Sequence, residues 1–212
     1  MLDLNFSITG AAPELHAAAP TLNFRLHVRD SGHELIHAIL LRVHIQIQPR
    51  RRKYELAEQE RLTELFGTAE RWPDTLRPLL WMQTSLLVPA FRGVVELDLP
   101  VACTYDMEVA SSKYLEALDE GEIGLLFLFS GTAFLKTENG FRVAQIPWEK
   151  EAAFRLPVRT WRETMEGHFP GAGWIRLRRE SLDELRRVKA REALFTWDDV
   201  ILSLVRAKEP VA

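Results

Sequence analysis

Four of the six histidines follow one another between residues 27 and 44, and imidazoles are common ligands of first-row transition metals. They are His27, His33, His37 and His44. Their positions argue against a shared metal site. His27 and His44 fall on the polar sides of two alternating segments, whereas His37 falls on an apolar side. We therefore expect exposed or packed histidines and predict no metal and no cofactor.

The single cysteine is the candidate nucleophile. With His168 as base and Asp106 as the orienting carboxylate, Cys103 could serve a thiol enzyme. However, no helix begins directly after Cys103, and a lone cysteine in a strand is usually a small buried hydrophobic residue. Asp106 and Glu108, two residues apart, suit acid–base work or cation binding, and equally suit two solvated carboxylates. We predict no catalytic residue, and a small-molecule or metal-handling enzyme using these groups stays the alternative.

The sharpest charge cluster is Arg50-Arg51-Arg52-Lys53, which could contact phosphate or an acidic protein surface. A net charge of −3 gives no overall basic footprint, so nucleic acid is not the expected partner. The glycine patterns of dinucleotide and P-loop sites are missing, which argues against a nucleotide cofactor.

The single cysteine excludes an intrachain disulfide, which fits a reducing compartment. The N-terminal residues lack the basic and apolar regions of a secretory signal. The densest apolar run, residues 123–129, falls far short of the ~20 residues that span a bilayer. We predict a cytoplasmic protein without a membrane span.

Two segments in which apolar and polar residues strictly alternate predict the strands that position these residues. Leu22–Val28 and Ile39–Ile47 each place apolar residues on one side and polar residues on the other. A turn at Ser31-Gly32 would pair them as an antiparallel hairpin with matching faces. We therefore predict one polar hairpin face that leads into Arg50–Lys53.

Further patterns predict a helix over residues 54–66 ended by Gly67, and strands over 81–88, 93–99, 101–109, 123–134, 141–146 and 152–156. Pro100 indicates an edge or a bend, and Asn139-Gly140 a tight hairpin turn. A short helix is expected over 110–118. Three C-terminal helices begin near Pro157, at a Ser181 capping box and after Thr196.

These elements indicate an α+β fold: an antiparallel β-sandwich-like core of about eight strands, with inserted short helices and a helical C-terminal region. The predicted domains are a β-rich core over residues 1–156, with a helical insertion near 54–66, and a helical appendage over 157–212 packed on that core.

Four stretches of the sequence resemble a bacterial family of unknown function that is best represented in actinobacteria. They are Ala19–Leu26, Leu99–Val109, Leu128–Thr132 and Gly173–Leu177. The resemblance covers nearly the whole chain. Genes of that family tend to lie among those of high-affinity uptake nickel–iron hydrogenases, so the resemblance implies an accessory, assembly or scaffolding role and carries no catalytic residues.

We therefore expect a non-enzymatic protein-binding factor whose partner is a hydrogenase subunit or a maturation factor. The expected partner surface is the polar face that runs from the strands into the basic cluster: Arg25, His27, Arg42, His44, Arg50, Arg51, Arg52 and Lys53. A self-assembling structural protein is a further alternative, and homo-oligomers stay open.

Overall fold

A computed structural model describes residues 2–32, 34–103, 109–138, 140–168, 170–171 and 177–207. In these ranges eight antiparallel strands form two sheets. The strands are β1 (Leu4–Pro13), β2 (Thr21–Asp30), β3 (Ile36–Ile47), β4 (Leu79–Val88), β5 (Val94–Ala102), β6 (Glu122–Thr137), β7 (Gly140–Ile146) and β8 (Glu151–Pro157). The predicted α+β class with a β-sandwich-like core is confirmed.

One sheet has three strands in the order β1-β2-β5, and the other has five. In the larger sheet the order is β4-β3-β6-β7, with β8 pairing the other half of β6. The expected turn between residues 137 and 140 joins β6 to β7, since Thr137 pairs with Gly140, while Asn139 lies outside the described residues.

The core lies between the two sheets. The Phe24 ring, from β2, packs edge-on against Phe127 of β6 at a centroid distance of 5.1 Å. Phe6 of β1 stacks on Phe129 of β6 at 4.5 Å. The apolar sides of β2 and β3 are both buried, as their alternation predicts.

The predicted hairpin between Leu22–Val28 and Ile39–Ile47 is wrong, although both strands and their buried faces are confirmed. β2 lies between β1 and β5, whereas β3 lies between β4 and β6 in the other sheet. Ile36, at the start of β3, exchanges backbone hydrogen bonds of 3.1 and 3.0 Å with Phe91. The chain after β2 therefore crosses from one sheet to the other.

The edge position predicted for Pro100 is confirmed, but the two strands predicted on either side of it form one strand, β5. Because β5 is an edge strand, its outer side has no partner strand, and a proline without an N–H is tolerated there. Residues 104–108, predicted as strand, lie outside the described residues. β1, which no prediction included, has Leu4, Phe6 and Ile8 buried, and it occupies the edge of β2 that the hairpin would have used.

The helices are α1 (Leu56–Phe66), α2 (Trp72–Thr75), α3 (Val109–Glu116), α4 (Val158–His168), α5 (Arg179–Arg191) and α6 (Trp197–Arg206). Gly67 ends α1 with φ +74°, and Thr196 caps α6 together with Asp199, as predicted. The predicted N-cap of α5, Ser181, is three residues late, because Arg178 takes that position and its carbonyl accepts from the Leu182 N–H.

The chain divides into two compact units, Met1–Ala172 and Gly173–Ala212. The first contains all the described strands and α1–α4, and the second contains α5 and α6. In the first unit Trp161 of α4 packs against Trp81 of β4, and the division at residue 156 stays a prediction. In the second, Lys189 donates to the carbonyls of Leu194 and Phe195 between the two helices.

Gly131 of β6 lies close to the Leu40 backbone of β3, and its φ is +144°. A Cβ at this position would lie 3.1 Å from the Leu40 carbonyl carbon and closer still to its oxygen. Because backbone atoms block the space, we expect Gly131→Ala to lower the free energy of unfolding by about 3 kcal/mol.

The matched control is Gly167→Ala in α4, where a Cβ meets nothing within 4 Å, and where alanine should stabilise the helix by up to about 1 kcal/mol. Urea unfolding of both variants measures the difference. Equal free energies would contradict the close approach at Gly131.

Candidate functional site

The structure divides the predicted partner surface between two sheets. Arg25 and His27 lie on the outward side of β2, in the three-stranded sheet. There Arg25 forms an ion pair with Asp98 at 3.6 Å, and His27 lies opposite Glu96. Since Arg42 and His44 project outward from β3, in the opposing sheet, they face the other side of the sandwich.

The outward side of β3, β4, β6, β7 and β8 is called here the outer face. Its strands alternate so that odd-numbered residues of β6 between 123 and 129 are buried, while Leu126 and Leu128 are half-buried on the outer face. Arg42 pairs across the sheet with Ser130 and Ser85. The middle of the outer face is therefore polar.

A turn places the basic cluster at one end of the outer face. After β3, residues Pro49–Arg51 form one turn of 3₁₀ helix, and the Gln48 N–H donates to the Gly124 carbonyl of β6 at 2.8 Å. A Cβ on Gly124 would lie 3.0 Å from Arg51 Cβ and 3.3 Å from the Gln48 oxygen. Glycine at 124 thus lets the turn lie directly on the sheet.

Beside this turn opens the basic cleft, which we define by its two adjoining parts. A part of about 280 Å³ lies between Arg51 and Arg155, with Gly124 and Ala153 at its wall. A wider part of about 560 Å³ is lined by Arg50, Arg51, Arg52, Lys53, Arg155, Gly121 and Glu122. Arg155 joins the cluster because β8 pairs it with Gly124 across the sheet. Five cationic side chains and one carboxylate therefore line the cleft.

Arg52 differs from its neighbours because most of its side chain is buried. Its Nη2 donates to both carboxylate oxygens of Glu58, at 2.6 and 2.8 Å, and its side chain is 9% exposed against 2% for Glu58. Glu58 also accepts from the backbone N–H groups of Glu55 and Asp119. The ion pair therefore ties the basic turn to α1 and to the chain before β6.

The Arg52 guanidinium also has a nitrogen without a partner. Nε donates to the Lys53 carbonyl at 3.2 Å, while the buried Nη1 makes no hydrogen bond within the described residues. Buried guanidinium nitrogens are normally satisfied, so the unpaired Nη1 is unusual; the guanidinium carbon lies 5.0 Å from the centroid of the Tyr54 ring.

Two tyrosines complete the support beneath the turn. The Tyr54 hydroxyl contacts the Tyr114 hydroxyl at 2.8 Å and donates to the Pro49 carbonyl at 2.7 Å. Burial first, and then the neighbouring Tyr114 hydroxyl, raise the pKa of Tyr54 far above its usual range. Burial raises the pKa of Tyr114 to about 12. Both phenols therefore stay neutral and act as hydrogen-bonding packing residues.

The residues considered for catalysis lie elsewhere. Cys103 directly follows β5, is buried, and donates its thiol to the Val101 carbonyl at 3.5 Å. Burial raises the pKa of this thiol to about 12, so the thiolate is scarce at neutral pH. His168 is the last residue of α4, whereas Asp106 and Glu108 lie outside the described residues.

The histidines are separated. His27 and His44 lie half-buried on opposing sheets, and His33 is outside the described residues. His37, predicted on an apolar side, is exposed beside Phe141 at a centroid distance of 4.8 Å, because β3 has a bulge between Ile36 and Ala38. Across the described ranges no three His, Cys, Asp or Glu side chains lie close enough to share a metal ion.

The far end of the outer face carries apolar residues that the sequence did not single out. Four large side chains are about half exposed or more: Leu40 (54%), Leu87 (62%), Phe141 (57%) and Val143 (56%). Leu40 pairs with Leu87 across β3 and β4, and Val143 pairs with Phe134 across β6 and β7. Their alternating positions were visible in the sequence, but the strand order that brings them together was not.

Comparison with known proteins returns a family and distant structural likenesses. The sequence model of DUF6084, a family of unknown function, matches residues 1–212. No curated protein matches the chain. Within the described part, no helix is both long and apolar enough to cross a membrane.

Three of the solved structures that match the chain do so at low similarity. The CARDB domain of the PF1109 protein from Pyrococcus furiosus is 14% identical, with 74% of this chain and 92% of that chain covered and a TM-score of 0.30. Beta-glucosidase 3B from Thermotoga neapolitana is 9% identical, with 73% of this chain and 17% of that chain covered and a TM-score of 0.26. The beta-glucosidase from Kluyveromyces marxianus is 11% identical, with 73% of this chain and 15% of that chain covered and a TM-score of 0.22.

The buried ion pair makes a prediction about stability. Glu58→Gln keeps the side-chain volume but leaves the Arg52 guanidinium buried without its counter-charge, so we expect the free energy of unfolding to fall by about 3 kcal/mol. Glu64→Gln is the control, because Glu64 pairs with Lys113 at the surface, where such pairs contribute about 1 kcal/mol or less. Urea unfolding compares the two variants, and equally small losses would refute a structural role for the Arg52–Glu58 pair.

The position of Cys103 makes a second prediction, about reactivity. With a thiol pKa of about 12, only ~10⁻⁴ of the groups are thiolate at about pH 8, and burial blocks access as well. Ellman's reagent should therefore react with the native chain at least about a hundredfold more slowly than with the chain in concentrated guanidinium chloride. Comparable rates in the two states would restore Cys103 as a candidate nucleophile.

Proposed function

This chain belongs to the family of unknown function DUF6084, and we propose that it is a non-enzymatic accessory or assembly factor that binds a partner protein through the outer face. The observation that carries the proposal is that an exposed apolar group and the basic cleft occupy opposite ends of the same sheet face. A partner with an apolar surface next to an acidic segment would match both ends.

The apolar end has the character of a protein-binding surface. Leu40, Leu87, Phe141 and Val143 lie on three strands of one sheet, and contiguous exposed apolar residues on a folded domain mark interaction sites. Phe134, half-buried between them on β6, joins the β3 side to the β7 side. An apolar partner surface would remove these side chains from water, which is the main favourable term in protein association.

The dimensions of the outer face suit one partner. From Gly124 to Phe134 along β6 the distance is about 33 Å at the rise of a β-strand. A standard protein interface buries roughly 800 Å² on each side, which corresponds to a patch of about that width. Arg42 and His44 lie between the two ends and supply the polar groups that such interfaces contain.

The enzyme alternative has less support. Its nucleophile would be Cys103, which is buried and has a raised pKa, and the basic cleft is lined by cations without a neighbouring general base other than Glu122. Arginine and lysine in such a setting bind and orient anions.

The sequence resemblance to a family whose genes lie near uptake nickel–iron hydrogenases supplies the candidate partner. We propose a hydrogenase subunit or a hydrogenase maturation factor as the protein that docks on the outer face. This choice rests on the resemblance alone, and the geometry contributes only the chemical character of the partner surface.

Affinity purification from the native host tests the proposal. The tagged wild-type chain should recover hydrogenase subunits or maturation factors. Val143→Asp should reduce that recovery at least about tenfold, because it places a charge in the apolar end of the outer face. Val94→Asp is the matched control: Val94 is 47% exposed on β5, the edge strand of the opposing sheet, and its replacement should leave recovery unchanged.

Recovery of neither protein class, or equal loss in both variants, would contradict the proposal. Light scattering of the purified chain measures its oligomeric state and so tests the alternative of a self-assembling protein. A wild-type dimer that becomes monomeric in Val143→Asp would assign the outer face to a second copy of this chain instead.

A further inference from the structure

The basic cleft holds more positive charge than its own surroundings neutralise. Arg51 and Lys53 form no ion pair or hydrogen bond through their side chains within the described residues. Arg155 has only a 3.4 Å contact with Glu122, and both side chains are largely exposed. By contrast Arg50 donates to the Pro73 carbonyl, and Arg52 to Glu58. Three cations at the mouth of the cleft are therefore available to a ligand.

A second observation concerns Arg52, whose side chain is mostly buried beside the cleft. Arg52 lines its wider part, is about nine-tenths buried, and leaves Nη1 without a hydrogen-bond partner in the part of the chain that the structure describes. Glu58 fixes this guanidinium from one side, so its orientation is set before any ligand arrives. The positive charge of Arg52 therefore has a fixed place beside the cleft.

The shape of the cleft also suits a small anionic group. Its wider part, about 560 Å³, is open to solvent, and Gly124 lies at the wall of the narrower part beside Arg51 and Arg155. Arg51 comes from the turn and Arg155 from β8, so the two guanidiniums approach the opening from different elements. Guanidiniums placed in this way bind carboxylate or phosphate oxygens through paired hydrogen bonds.

Building on the proposed function, we infer that the basic cleft is an oxyanion site for the side-chain carboxylates of an acidic segment in the docked partner. The cleft opens on the same face as the exposed apolar group, so a segment held there continues the protein contact. Arg51, Lys53 and Arg155 contact the carboxylates at the mouth, and Arg52, held by Glu58, adds a fixed positive charge beside them. Because the chain as a whole has a net charge of −3, it attracts anions at the cleft and not over its entire surface. A short acidic segment therefore suits the site better than an extended polyanion.

Fluorescence anisotropy with the full chain and a short, labelled poly-glutamate peptide tests this site. The wild-type chain should bind the peptide and not its poly-glutamine counterpart. Arg51→Gln and Arg155→Gln should each weaken binding about tenfold, because each removes one charged contact and keeps the Cβ and the fold. Arg29→Gln removes the same charge from the outward side of β2 and should change affinity less than about twofold.

Each other outcome overturns the inference. Equal affinity in Arg29→Gln and the cleft variants would indicate attraction by overall charge, and equal binding of poly-glutamine would exclude an oxyanion site. Inorganic phosphate that displaces the peptide when the same ionic strength of chloride does not would assign the cleft to phosphate rather than to carboxylate.

Purification from the host distinguishes this inference from the proposed function. If the peptide fails to bind but Val143→Asp still abolishes partner recovery, the carboxylate site is wrong and the docking face stands. If the peptide binds in the cleft but the wild-type chain recovers no hydrogenase protein, the site stands and the proposed partner is wrong.

Discussion

The pairing of β6 on both of its edges is the constraint on which the rest of the structure depends. One edge pairs with β3 from Leu125 to Leu135, and the other is shared between β8 and β7 in succession. Such pairing requires an unobstructed backbone, and glycine supplies it at two points. Gly131 allows the close approach of β3, and Gly124 allows the turn after β3 to lie on the sheet. The same strand therefore organises the core and forms the floor of the basic cleft.

Alternation in the sequence identifies strands and their buried faces, but it does not identify their neighbours. β2 and β3 each present an apolar side that is buried as expected, yet these sides meet across the core and not within one sheet. A parity argument about register could not detect this, because two strands facing each other from opposing sheets bury the same residues as a hairpin does. The hairpin prediction also overlooked β1, whose Leu4, Phe6 and Ile8 alternate just as clearly.

Only the part of the candidate site that is contiguous in the chain could be predicted from the sequence. Arg50–Lys53 is a visible run of cations, but Arg155 lies about a hundred residues away and joins it only through the register of β8 with Gly124. The burial of Arg52 beside an exposed Arg51 was also hidden, since adjacent residues in a turn have no fixed period. Glu58 gave a weak signal as the third residue of α1, where a carboxylate can close a capping box.

The Arg52–Glu58 pair explains why the basic turn has one conformation. A buried ion pair contributes little net stability compared with apolar residues of equal volume, since both charges lose their hydration. Its geometry is nevertheless specific: Glu58 holds Arg52, caps α1 through Glu55, and accepts from the Asp119 N–H just before β6. These contacts connect three parts of the chain at the edge of the cleft, so Arg51 and Lys53 project from a fixed base. A preorganised turn loses less conformational entropy when it binds an anion, so the ion pair contributes to affinity as well as to the structure of the turn.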